Sequence, residues 1–91
     1  MRLKWTSKAS ADLVRLHDFL AAANREAAAR VVQSLAAAPH RLLDHPRLGE
    51  RLDEFAPGEV RRIIVGPYEL RYEVREGTIY VVRLWHTKEK R

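Results

Sequence analysis

At 91 residues the chain has room for one domain with one modest core, and its 46% hydrophobic and 32% charged residues exclude a disordered tail, a collagen-like repeat and a coiled coil. The absence of cysteine excludes a disulfide framework and thiolate metal sites, and no apolar run approaches the ~18 residues of a membrane span. The formal net charge of +5 lies late in the chain: residues 1–59 hold nine Lys/Arg against eight Asp/Glu (net +1), and residues 60–91 hold eight against four (net +4).

Taken in order, Leu3-Lys4-Trp5 alternates apolar and polar residues and predicts a short strand. Thr6 and Ser7 offer capping hydroxyls, with Ser7 the expected N-cap. From Lys8 the apolar spacing becomes three and four. Ala9, Leu13, Leu16 and Leu20, with Ala11, Val14 and Phe19, predict an amphipathic helix over 8–22 that leaves Lys8, Asp12, Arg15 and Asp18 outside. Asn24 is a second cap, and Glu26 suits the dipole of a helix whose stripe runs through Val31, Val32 and Leu35. The short link between the two helices predicts an antiparallel hairpin, and its alanines allow close approach. Leu42 and Leu43 extend the stripe past Pro39, which predicts a kinked helix running to about Asp44. His45-Pro46-Arg47-Leu48-Gly49 then opens a loop of about a dozen residues, to Pro57-Gly58.

Beyond Gly58 the period is two. Residues 60–65 form one strand, and Gly66-Pro67 turns the chain. Tyr68, Leu70, Tyr72 and Val74 then face the core, opposite Glu69, Arg71, Glu73 and Arg75 on the water side. Glu76-Gly77 makes a tight hairpin turn into a last strand, 78–85, which is apolar on both faces (Ile79, Val81; Tyr80, Val82, Leu84) and so belongs in the sheet interior. The expected fold is α+β and one domain, 1–91. It has an N-terminal strand, an antiparallel two-helix hairpin and a three-strand antiparallel meander, with the helices on one face of a four-stranded sheet ordered second-third-fourth-first. The tail from His86 is expected to fray.

Catalytic signatures are few. The sequence lacks a Gly-rich phosphate loop, H-E-x-x-H and G-x-S-x-G. His40 and His45 lack a spacing that enforces coordination, so neither a metal nor a cofactor is expected. His86 ends the last strand beside the basic tail, where an imidazole either moves a proton or caps the core edge. Arg61 and Arg62 are adjacent and point to opposite faces of their strand; one is exposed, and the other is covered or reaches the rim toward a carboxylate. One of this pair with Arg71, Arg83, Lys88 and Lys90 either lines a basic surface or is consumed by cross-strand pairing with Glu69 and Glu73. The alternation puts Tyr68 and Tyr72 in the core rather than on a base-stacking surface. The basic excess favours an acidic peptide, a nucleic acid or an acidic protein surface as partner. Met1-Arg2-Leu3-Lys4-Trp5 has no long apolar h-region and so no signal peptide is expected, and the absence of cysteine fits a reducing cytoplasm, with no membrane partner expected.

Several words now fall in a specific order. Leu3-x-Trp5-Thr6-x-Lys8-Ala9-x-x-Asp12-Leu13 opens the chain, Ala28-x-Arg30 lies in the second helix, and Leu43-x-His45-Pro46-x-Leu48-Gly49 ends the hairpin. Val60-Arg61-x-Ile63-x-Val65-x-x-Tyr68-x-Leu70-x-Tyr72-x-Val74 follows, then Ile79-x-Val81-Val82-Arg83-Leu84-x-His86. The whole chain thereby resembles the ParE branch of the RelE/ParE toxins of bacterial type II toxin–antitoxin pairs. The resemblance implies a toxin neutralised by a cognate antitoxin in a heterodimer or heterotetramer, with operator DNA contacted only through the antitoxin. It implies DNA gyrase as the target. RelE-like relatives instead cut ribosome-bound mRNA, and that alternative would use Arg61, Arg83 and His86 without a metal. Those nucleases place an arginine directly after the tyrosine-type start of the middle meander strand. Here that position is Glu69, which would repel phosphate, so a binding toxin rather than an enzyme is the favoured reading. The residues expected to meet a partner are Arg61, Arg62, Arg71, Arg83, Trp85, His86, Lys88 and Lys90. A third reading is a harmless member that only binds its antitoxin.

Overall fold

The structure, a computed structural model, describes residues 1–89. Strand β1 (Arg2–Trp5) leads into helix α1 (Ser7–Ala21) and helix α2 (Arg25–Ala37). After a 3-10 helix (Ala38–Leu43) come a two-residue strand β2 (Glu50–Arg51) and a 3-10 turn (Asp53–Phe55). The meander β3 (Glu59–Val65), β4 (Tyr68–Arg75) and β5 (Thr78–His86) completes the fold. The sheet order is β1-β5-β4-β3-β2. β1 runs parallel to β5, and the other neighbours are antiparallel.

The α+β class and the helix hairpin on one face stand as the sequence predicts. The sheet has five strands rather than four, and its order differs because β2 joins the β3 edge within the segment read as loop.

Local chemistry explains the remaining departures. Thr6, not Ser7, caps α1: its backbone is extended, its Oγ1 accepts from Ala9 N–H at 3.1 Å, and the same hydroxyl donates to Val82 O at 3.3 Å. Thr6 thereby joins the helix start to β5. Asn24 caps α2, accepting from Ala27 N–H. The kinked helix to residue 44 is replaced by an α-helix ending at Ala37 and a separate 3-10 helix. Pro39 lies in the first turn of that 3-10 helix, where its missing N–H costs nothing, and Leu42 is still delivered to the core fully buried. Glu76 and Gly77 both have positive φ, 50° and 71°, as a type I′ hairpin requires.

The core joins Ala9, Leu16, Leu35 and Leu42 of the helical layer to Ile63, Leu70, Tyr72, Ile79, Val81 and Leu84 of the sheet. A β-bulge sets this pattern. Tyr72 pairs with Val81 but Arg71 pairs with Arg83, so Val82 is an extra residue. The bulge changes which side chains share a face. Leu84, read as lying opposite Ile79 and Val81, joins them in the core, while Arg83 and Trp85 turn to the face without helices.

Candidate partner-binding surfaces

Residues paired across strands share a face. The pairs Glu50–Arg62, Arg62–Arg71 and Arg71–Arg83 therefore set four side chains in one row across β2, β3, β4 and β5 on the helix-free face. The adjacent row is Ile64, Glu69 and Trp85. Three arginines are gathered, and each is held by a carboxylate. Arg62 Nε donates to Glu50 at 2.7 Å and its Nη1 to Glu69 at 3.5 Å. Arg71 Nε donates to Glu69 at 2.9 Å, and its guanidinium lies 4.7 Å from the Trp85 ring centre and 5.7 Å from that of Phe55. Arg83 Nε donates to Asp12 at 2.8 Å, with its guanidinium 5.5 Å from Trp85.

Two expectations are corrected by this row. Glu69 does not face water but is 4% exposed, because two guanidiniums cover it. Trp85 is likewise 4% exposed; it is the floor under Arg71 and Arg83 rather than an open contact surface.

Arg61 does not join them. It lies on the other face opposite Tyr72, where Nε donates to Glu59 at 2.8 Å and Nη1 to Gly49 O at 2.8 Å. Tyr72 accepts from Gly49 N–H at 2.9 Å and donates to Pro46 O at 2.8 Å. Together they pin the segment between the 3-10 helix and β2. Gly49 is required there, because a Cβ would stand 2.5 Å from Arg62 O and 2.8 Å from the Tyr72 hydroxyl. The question of which arginine is exposed is thus resolved in favour of Arg62. Its partner Arg61 meets a rim carboxylate, which the Arg61 bond holds below the usual range.

Asp12, whose helical spacing points it outward, is buried. It accepts from Arg83 and from Leu84 N–H at 2.9 Å, an N–H on the edge of β5 beyond the end of β1. Burial alone would raise its pKa, but the bonds from Arg83, Leu84 N–H and Arg15 outweigh this and hold it below the ordinary value. The same pairing raises Arg83.

His86 sits on the helix side, edge-on to Tyr68 with ring centres 5.3 Å apart, and its Nδ1 accepts from Lys88 N–H at 3.1 Å. The tail is tied rather than frayed as far as Glu89. Thr87 N–H donates to Pro67 O and Glu89 N–H to His86 O, while the Glu89 carboxylate binds Arg15. Lys90 lies outside the described residues. Between α1 and the end of β5 opens a groove of about 500 Å³ walled by Leu16, Phe19, Leu20, Tyr68 and His86, with Arg15, Lys88 and Glu89 at its edge. The tyrosine hydroxyl is pushed up by burial and by the nearby Glu89 charge.

Sequence reasoning missed this groove, together with Arg15 and Phe19. The available signal was Phe19 itself, a large apolar residue outside the 9-13-16-20 stripe; it is 77% exposed. The proposed nuclease set is not assembled. Arg61 and His86 are opposite Tyr72 and Tyr68 respectively, four residues and about 13 Å apart along β4, and Arg83 is on the other face. Among the described residues no cluster of three His, Cys, Asp or Glu side chains has metal-binding proximity, and no helix is long and apolar enough to cross a membrane.

The helix hairpin on one face of this meander, with the first strand added in parallel to the last, recurs in a solved toxin–antitoxin structure. A chain of the chromosomal ParDE TA system from P. aeruginosa superposes with a TM-score of 0.80 at 28% identity, covering 94% of this chain and 95% of that one. Toxin RelE2 from Caulobacter vibrioides is 32% identical over 83 residues, 90% of each chain. The family model for the ParE toxin of the type II toxin–antitoxin system parDE matches residues 3–91. The chain belongs to the ParE toxin family.

Proposed function

We propose that this ParE-family toxin acts by attachment rather than catalysis, that DNA gyrase is its target, and that a cognate antitoxin neutralises it. The separation of Arg61, Arg83 and His86 carries the first part. Metal-free RNA cleavage needs a base, an acid and a cation around one phosphate, whereas these three side chains are spread over two faces and the first two are occupied by carboxylates. Glu69 between Arg62 and Arg71 also disfavours phosphate there. The gyrase target and the antitoxin are supported by family membership and by the ParDE likeness.

Purified protein is expected to inhibit gyrase supercoiling at stoichiometric concentration and to leave mRNA on programmed ribosomes uncut. Cleavage of that mRNA, slowed about 10²-fold or more by His86→Ala, would establish the nuclease reading instead. The product of the adjacent reading frame is expected to restore supercoiling when added first. Overexpression that is harmless without that gene would favour a member that only binds its antitoxin.

A further inference from the structure

The helix-free face carries its charges in depth. Arg71 and Arg83 lie against the Trp85 ring, and the Arg75 guanidinium lies 4.6 Å from the centre of the Tyr80 ring. Alternation along β4 puts Arg75 on the face of Arg71, about 13 Å further along the strand. A guanidinium stacked on a ring is fixed before any partner arrives, with its fork of N–H donors in the plane of the stack. The carboxylates lie underneath. The Arg62 side chain is 38% exposed over Glu69 at 4%, and that of Arg83 is 43% exposed over Asp12 at 8%. Arg71 over Glu69 and Arg75 over Glu73 follow the same order. Each pair is close to neutral, yet what it turns outward is the cation. Arg71 uses only Nε in a hydrogen bond among the described residues, so its terminal amino groups retain donors. Ile64 and Phe55, both exposed, flank the row.

We infer that the helix-free face is the surface by which the toxin attaches to its target, and that it takes an acidic patch of a folded protein. Fixed arginines on aromatic rings are the side chains that dominate binding energy at protein interfaces. Carboxylates of the target accept from the spare N–H donors and leave the inner pairs in place, and an apolar side chain of the target covers Ile64. Charge complementarity sets the sign of the partner, because the exposed layer is cationic. Glu50 selects the class. It is the one carboxylate more exposed than the arginine it binds, Arg62. A nucleic-acid backbone, negative along its whole length, is repelled there, whereas a protein surface can set a cation or a neutral group opposite it. This rests on the toxin acting by attachment to a protein and names the face that attaches.

The test uses the full chain, expressed in cells for growth arrest and purified for binding to reconstituted gyrase. Arg62→Glu and Arg75→Glu are each expected to weaken binding by about tenfold or more and to relieve growth arrest. Ile64→Ser, an uncharged change at an exposed site, should weaken binding by about fivefold. Glu50→Gln removes the exposed competitor and should tighten binding by about threefold. Arg25→Glu makes the same charge change at the exposed start of α2 and should leave binding unchanged. Circular dichroism reports that each variant is folded. Undiminished gyrase binding and growth arrest by Arg62→Glu, Arg75→Glu and Ile64→Ser would overturn the inference and leave the gyrase reading intact. Growth arrest relieved by the same variants, in a chain that does not bind gyrase, would support the face and overturn gyrase as the target. A wild type that neither arrests growth nor binds gyrase would overturn both. Binding of DNA or RNA oligonucleotides by the wild type at about 0.15 M salt, lost in Arg62→Glu, would overturn the protein surface in favour of a nucleic acid.

Discussion

Asp12 occupies a helical position whose spacing sends it toward water, yet it is 6% exposed. The reason lies on another element. β1 ends at Trp5, opposite Val81, so Leu84 N–H at the edge of β5 needs an acceptor that the ladder does not supply. The carboxylate meets that need and Arg83 offsets its desolvation. A carboxylate whose folded pKa is depressed contributes stability that is complete above its unfolded value, about 4, and is lost as the pH falls through the folded value. Asp12→Asn is therefore expected to cost roughly 1–3 kcal/mol at pH 7. Its deficit relative to wild type should stay constant down to about pH 5 and shrink below about pH 4. Denaturant titrations of both proteins at pH 7, 5 and 3 check the sign.

Among the elements, the least regular one is the most dependent on single bonds. The segment from Pro46 to Arg51 meets the sheet through the short β2 pairing, and is fastened by the Tyr72 hydroxyl and by Arg61. Both hydroxyl bonds end on backbone groups of that segment, and Tyr72 has no exposed surface. Tyr72→Phe removes them and leaves a buried Gly49 N–H without its partner, at an expected cost of about 1–3 kcal/mol in chemical denaturation. Hydrogen exchange should quicken over residues 46–51 before it quickens over β4. The meander strands and both helices were legible because periods of two and 3.6 are local properties of the chain. β2 was not, since two residues carry no period.

At the scale of the molecule, charge and its availability part company. The row Arg62, Arg71 and Arg83 is as basic as the count of residues 60–91 suggests, yet each guanidinium is held by Glu50, Glu69 or Asp12. The net +5 persists as a long-range field, which salt screens with a Debye length of about 10 Å at 0.1 M. Association with the proposed antitoxin, if its docking segment is acidic as the basic excess favours, is accordingly expected to slow several-fold between about 0.05 and 0.5 M NaCl, with a smaller change in dissociation, as stopped-flow mixing would read. A salt-insensitive association rate would show that apolar contact alone governs the encounter.

The chain's order of residues by itself determined its class, its helix hairpin, its meander and the family it resembles, because these follow from spacing within short windows and from words met in sequence. The choice between Arg61 and Arg62, the burial of Glu69 and Trp85, the edge strand and the groove beside Phe19 were decided only in the folded molecule. Each depends on which distant residue arrives next to which. Arg15 and Glu89 are 74 positions apart, Asp12 and Arg83 71, and such encounters are set by the packing of α1 across the sheet and by one extra residue in β5.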